Sequence, residues 1–118
     1  MRNNQHRLLA EHTALSCVID GIETSARHKT ARGTVIGLAR VLAGAIEAHA
    51  AGEEPVLYEH LNDPRCAEGA HHALAEHVEI RALFAKATSG DRKALVNVCR
   101  LLRGHFEEEE RDVFPYVD

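Results

Sequence analysis

Apolar residues return along this chain at intervals of three and four, in four separate stretches. In residues 4–27, Leu8, His12, Leu15, Ile19 and Ile22 share one helical face. In residues 34–61 the seam is Val35, Leu38, Leu42, Ala45, His49, Glu53 and Val56. Residues 64–88 carry Ala70, Ala73, His77, Ile80 and Phe84, with Leu74 beside them. The last stretch aligns Leu95, Val98, Leu102, His105, Glu109 and Val113. Between them lie a loop over 28–33, the turn "NDPR", and "SGD" at 89–91. Asp63 is placed to cap the third helix with Pro64 at its first position, and Asp91 to cap the fourth. Pro55 sits inside the second stretch and removes one helical hydrogen bond, which predicts a kink just past Glu53. Four long helices joined by short turns predict an all-α, up-down-up-down antiparallel four-helix bundle. Each helix spans roughly 30 to 40 Å. A chain of 118 residues then forms one domain over 1–118, with little room for a second layer.

Composition supports helix over sheet: Ala and Leu are abundant, Pro is scarce and Trp is absent. The formal net charge of −4 argues against a nucleic-acid partner held through phosphate contacts. The basic cluster "RHKTAR" at 27–32 is expected to be a solvated helix end. The opening "MRNNQHRLLAEH" has no apolar run of signal-peptide type, and no segment approaches eighteen uncharged apolar residues. A cytoplasmic protein without a membrane span is therefore expected. Cys17, Cys66 and Cys99 are odd in number and match no common zinc spacing, so they are expected to be reduced thiols.

The outlying residue is histidine, with nine in 118, and it is the commonest protein metal ligand. Four of the nine lie on the apolar seams, one per helix: His12, His49, His77 and His105. Two glutamates, Glu53 and Glu109, stand one turn after His49 and His105 on the same faces. The pattern is duplicated. "HAAGEEPVLY" in the second helix is matched by "HFEEEERDVF" in the fourth, and "EHTAL" at 11–15 by "EHVEI" at 76–80. Antiparallel packing turns all four seams toward one axis. Burying bare carboxylates there costs several kcal/mol each unless a cation meets them, and no Lys or Arg lies on these seams. Four imidazoles and two carboxylates suit two metal ions, each with two histidines, bridged by Glu53 and Glu109. Such donors fit iron or manganese better than calcium or a structural zinc. The other glutamates, Glu54, Glu107, Glu108 and Glu110, are expected to face solvent, with Glu108 near Arg111 or Asp112. His6, His28 and His60 are expected on the surface; His71 and His72 are left unassigned.

The set EH, HxxxEE, EH, HxxxEE resembles the hemerythrin-like domain, also called the HHE cation-binding domain, over nearly the whole chain. The resemblance implies a four-helix bundle holding a non-haem pair of iron ions with an oxo or hydroxo bridge. It implies the same six metal residues: His12, His49, Glu53, His77, His105 and Glu109. Two positions depart from the oxygen-carrying members. Those have HxxxH on the third helix, where this chain has Ala73 four before His77. His72 lies about 100° around the helix and needs a bulge to reach. Those members also use an aspartate five residues after the last histidine, where this chain has Glu110; Glu109 is the better bridge. Both departures point to the broader bacterial-type branch rather than to reversible oxygen carriage. Its proposed roles are sensing, nitric oxide or peroxide scavenging, and protection of iron centres.

The ligand expected is then a small diatomic or peroxide, with a separate electron donor or signalling protein as partner. Whether the centre turns over a substrate is left open by the pattern. Tyr58 or Tyr116 near the cluster mouth is an alternative to plain packing. Val41, Ile36 and Leu101 offer an outer apolar stripe, so either a monomer or a homodimer fits. Two rival readings remain. A ferritin-like iron oxidase or storage protein needs ExxH on two helices, and only Glu68 with His71 supplies it. A metal-free helical protein that binds a partner needs the seam histidines only for packing.

Overall fold

The computed structural model describes residues 2–118. Its elements are α1 (Asn3–Arg27), α2 (Arg32–Glu59), α3 (Ala67–Ala87) and α4 (Arg92–Asp112), followed by a 3-10 turn at Phe114–Tyr116. No strand occurs among the described residues. Side-chain pairs fix the direction of each helix. From α1 to α4, Arg92 donates to the Ala26 carbonyl (2.9 Å), Arg103 meets Asp20 (2.7 Å), and His12 meets Glu110 (2.9 Å). From α1 to α2, Arg7 donates to the Gly52 carbonyl (3.1 Å) and His49 to Glu11 (2.7 Å). Arg81 meets Glu47 (2.9 Å) and His77 meets Glu54 (2.7 Å) between α3 and α2. His105 meets Glu76 (3.0 Å) and His72 meets Glu108 (2.8 Å) between α4 and α3. At every interface one numbering rises as the other falls. The predicted up-down-up-down bundle is therefore the fold, with its helices in ring order α1, α2, α3, α4.

The core has two apolar parts. One end packs Ile19, Ile22, Val35, Leu42, Ile80, Phe84, Leu95 and Leu102; the other packs Leu8, Val56, Leu57, Ala70, Val113 and Phe114. The seam histidines and glutamates lie between them. The 3-10 turn seats Phe114 in the second cluster, 1 % exposed. Gln5 holds that turn by donating to the Phe114 carbonyl at 2.7 Å. One ionic feature was not legible in the seams. Glu23 of α1 is buried beside Arg103, Arg27 and Arg100, away from the central donors.

Several expectations need correction at element ends. The third helix begins at Ala67, and Pro64–Cys66 form a separate turn before it. Asp63 caps that turn instead, its carboxylate accepting from the Arg65 N–H at 3.0 Å. The loop after α1 is shorter than expected, because α2 starts at Arg32. α2 continues through Pro55, which lies with Ala51 on the exposed face. The carbonyl left without a helical donor is thus on the solvent side, where water satisfies it. On α2 the buried face is shifted by one residue: Ala39 and Ile46 are buried where Leu38 and Ala45 are only half-buried. α2 is also long and apolar enough, by length and composition, to cross a membrane, which amends the expectation that no segment qualifies. Core helices of bundles meet the same criteria, and α2 carries His49 and Glu53 on its inner face.

Asp91 does cap α4, accepting from the Ala94 N–H at 3.1 Å. Just before it, Gly90 has φ +107°, a conformation side chains rarely adopt, and the Arg32 side chain crosses over its Cα. Gly90→Ala is expected to destabilise the protein by about 1–3 kcal/mol, read as a lower urea midpoint; an unchanged midpoint would refute the strain. The thiols differ sharply. Cys17 is exposed, whereas Cys66 and Cys99 are buried, and burial pushes the Cys99 thiol up to about 11. Native protein should alkylate at Cys17 alone, and at all three cysteines in denaturant.

Candidate metal centre

All six donors selected from the sequence meet at mid-bundle, and each is buried. They form two groups that share both glutamates: His12, His49, Glu53 and Glu109, and Glu53, His77, His105 and Glu109. Within each group the donor atoms lie within 4.8 Å of one another. The i,i+4 spacing does this locally. His49 Nε2 lies 3.0 Å from Glu53 Oε2, and His105 Nε2 lies 3.2 Å from Glu109 Oε1. Across the bundle, Glu53 Oε1 is 3.0 Å from His77 Nε2, and Glu109 Oε1 is 3.3 Å from His12 Nε2.

Every imidazole is held from behind by a different carboxylate. His49 Nδ1 donates to Glu11 (2.7 Å), His77 Nδ1 to Glu54 (2.7 Å), His105 Nδ1 to Glu76 (3.0 Å) and His12 Nδ1 to Glu110 (2.9 Å). A carboxylate only accepts, so each Nδ1 carries the hydrogen. In the neutral ring the Nε2 lone pair then points inward, the tautomer a metal requires. The four bonds close a ring around the bundle. Each helix gives one glutamate to the histidine of the next: α1 to α2, α2 to α3, α3 to α4, and α4 back to α1. Glu110 is exposed, as expected, yet reaches His12; Glu54 is only half-buried, which corrects its solvent-facing assignment. The signal was in the sequence, as the Glu beside the seam residue in each "EH" and "EE" doublet.

The inner atoms lack partners. His12 Nε2, Glu53 Oε1 and both Glu109 oxygens have no well-formed hydrogen bond. His77 Nε2 and His105 Nε2 face each other at 3.1 Å, which repels unless a proton or a metal ion lies between them. Glu53 is driven two ways. Burial would raise its pKa, but the close imidazoles of His12, His49 and His77 outweigh this and hold it well below the usual range. Glu109 is pushed well up, by burial first and then by its neighbour Glu53, against the opposing pull of His12. Burial alone would lower His12, yet Glu109 and Glu53 raise it; His49 is raised by Glu53 and Glu11 against the same burial. Without metal, protons stand in for the missing positive charge. Buried N and O donors lacking partners, with a fixed tautomer, fit metal cations.

Aromatic packing completes the walls. Phe106 stacks on the His12 ring at 3.8 Å between centroids, and Phe114 lies 4.9 Å from it. Neither was singled out as a neighbour of the site, since adjacency to His105 carries no signal of its own. Tyr58 is exposed on the surface, and Tyr116 lies outside the bundle core under Arg65. His72 stays on the outside of α3 and pairs with Glu108. Glu108 lies near Arg111 and Asp112 along one cleft, as expected, while Arg111 itself pairs with Asp112. His6, His28 and His71 are exposed; His60 is half-buried and donates to the Val56 carbonyl at 2.8 Å. Glu68 and His71, the one ExxH pair, are both exposed and outside the centre.

Two outcomes are expected. Glu110→Ala removes the acceptor behind His12 and should weaken metal affinity about 10- to 100-fold without loss of helix by circular dichroism; equal affinity would mean that Phe106 alone orients the ring. Metal must also displace the protons on Glu109 and the raised histidines. Uptake should therefore release protons and weaken from about pH 8 to about pH 6, as followed by titration in dilute buffer. Affinity independent of pH would contradict this.

Sequence comparison agrees with the geometry. The family model described as the hemerythrin HHE cation binding domain matches residues 3–117. Neither the curated proteins nor the solved structures give a significant match. With a match across nearly its whole length and a buried His/Glu cluster suited to cations, the chain belongs to the hemerythrin HHE cation-binding domain family.

Proposed function

We propose that this protein is a non-haem di-iron protein whose centre meets a small neutral oxidant, oxygen or nitric oxide. The observation that carries the reading is the sharing of Glu53 and Glu109 by two pairs of histidines. His12 and His49 would hold one ion and His77 and His105 the other, with Glu53 and Glu109 available to both. Charge supports two cations. Six carboxylates (Glu11, Glu53, Glu54, Glu76, Glu109 and Glu110) surround the site, and only Arg7 and Arg81 pair with any of them. Arg81 is shared with Glu47 as well, so carboxylates outnumber the nearby cations, as a site for more than one metal ion requires. Histidine with carboxylate is a donor set of intermediate hardness, suited to iron. Bound iron would supply electrons to a ligand at an open coordination position. The protein's own part is to fix the donors and limit access.

The access is small and mostly apolar. A cavity of about 20 Å³ lies against His49, His77 and His105. Ile46, Ile80, Phe84, Leu102 and Phe106 form its apolar wall, with Arg81 and Glu47 at its edge. That is about the room of one water molecule. A diatomic of low polarity suits it better than peroxide, which needs hydrogen-bond donors. The ferritin-like reading finds no support in the core, because its ExxH pair is exposed. Metal-free packing would leave six polar donors buried at mid-bundle with only shared protons between them.

The test is direct. Anaerobically purified protein is assayed for metal, reduced with dithionite, and exposed to oxygen while the near-ultraviolet and visible spectrum is recorded. About two irons per chain and new bands on oxidation are expected. No metal on purification, and none taken up on reconstitution, would overturn the reading. Chelation should also lower the melting temperature, since bound metal stabilises by about 2.7 kcal/mol at a hundredfold excess over Kd.

A further inference from the structure

A second set of donors stands outside the core. His72, Glu76 and Glu108 each offer one atom, all within 4.8 Å of one another. His72 Nε2 lies 2.8 Å from Glu108 Oε2 and 3.5 Å from Glu76 Oε1. The same Glu76 oxygen accepts from His105 Nδ1 at 3.0 Å. The exposed set and the buried centre therefore share an atom's neighbourhood.

These residues line a cleft of about 550 Å³ between α3 and α4. Gly69 and Ala73 line it on the α3 side, Gly69 lying close against Asp112 and Val113. Glu109 lines it as well, although it is only 1 % exposed and neither of its oxygens has a well-formed hydrogen bond. The cleft thus runs from a half-exposed imidazole and carboxylates to an unpartnered carboxylate of the buried centre. Its charge is negative. Glu68, Glu76, Glu108, Glu109 and Asp112 line it against Arg65 and Arg111. Arg65 is held by Asp63 (2.7 Å) and Arg111 by Asp112 (2.9 Å). Four carboxylates are left without a cation of their own.

We propose that this cleft is the route by which divalent cations enter the centre, with His72, Glu76 and Glu108 as the entry site. The inference rests on the metal-centre reading above and adds a path to it. A hydrated dication gives up water reluctantly, so exchanging it stepwise for fixed N and O donors lowers the barrier to burial. His72 and Glu108 take the ion at the surface. Glu76 passes it inward, and Glu109 receives it. The cavity on the α2 side is a poorer rival, because it holds only about 20 Å³ and its one carboxylate, Glu47, is already paired with Arg81. Cation and neutral diatomic then use separate doors.

Cobalt(II) serves as the probe, because its visible absorption reports entry into the centre without any turnover. Metal-free protein is mixed with cobalt in a stopped-flow instrument, and the final stoichiometry is measured by equilibrium dialysis. The His72→Ala/Glu108→Gln double variant should fill about tenfold more slowly, the scale expected when a focusing negative cleft is lost. It should reach the same occupancy of the buried centre. Glu107→Gln, the same charge change at an exposed position outside the cleft, should fill like the unaltered protein. Filling of the double variant at the unaltered rate would overturn the entry route and leave the centre intact. Lower final occupancy of the centre in the double variant would also overturn it, by making these residues part of holding rather than entry. Failure of the unaltered protein to take up cobalt would overturn the metal centre and the route together.

Discussion

Everything in this bundle is arranged around six electron-pair donors buried without a basic side chain among them. Four imidazole nitrogens and two carboxylates at mid-bundle cannot be stable as a bare set. The remaining structure divides the burden. Two apolar clusters, one on each side, supply the burial that holds four helices together. Four outer glutamates fix the imidazoles, and their own charge is left partly in water. Only the inner atoms are left over, and cations are what they lack.

The two ways into the centre differ in kind. On the α2–α3 side lies a small, mostly apolar cavity beside three of the histidines, with the Arg81–Glu47 pair at its edge. On the α3–α4 side lies a wide, anionic cleft. On the proposed reading, the wide anionic cleft would suit a hydrated ion and the small cavity a neutral diatomic.

Much of this was legible before any coordinates. Period and punctuation give four helices, their order and the buried faces to within a residue or two. The central donors stood out because charged residues on an apolar seam demand an explanation. What was missed had weaker signals. Glu54 and Glu110 look like ordinary surface acids, because they lie off the seam by one position; only a partner on another helix gives them work. The start of α3 was placed three residues early, since Pro64 suits a turn as well as a helix. Glu23 was invisible for a similar reason: besides Arg27 one turn on, its arginine partners Arg100 and Arg103 come from α4, far along the chain. The cleft could not be read at all, because an opening depends on what two helices leave unfilled.

The ring of outer carboxylates has a sense of rotation. Glu11 serves the histidine of α2, Glu54 that of α3, Glu76 that of α4, and Glu110 that of α1. Four amphipathic helices joined by short loops can wind either clockwise or anticlockwise, and their apolar faces are nearly indifferent to the choice. The glutamates are not indifferent. In the opposite winding each would lie on the side of its helix away from the histidine it serves, leaving four imidazoles unanchored. The groups that orient the centre therefore also give the bundle its hand, so that topology and chemistry are specified by the same few hydrogen bonds.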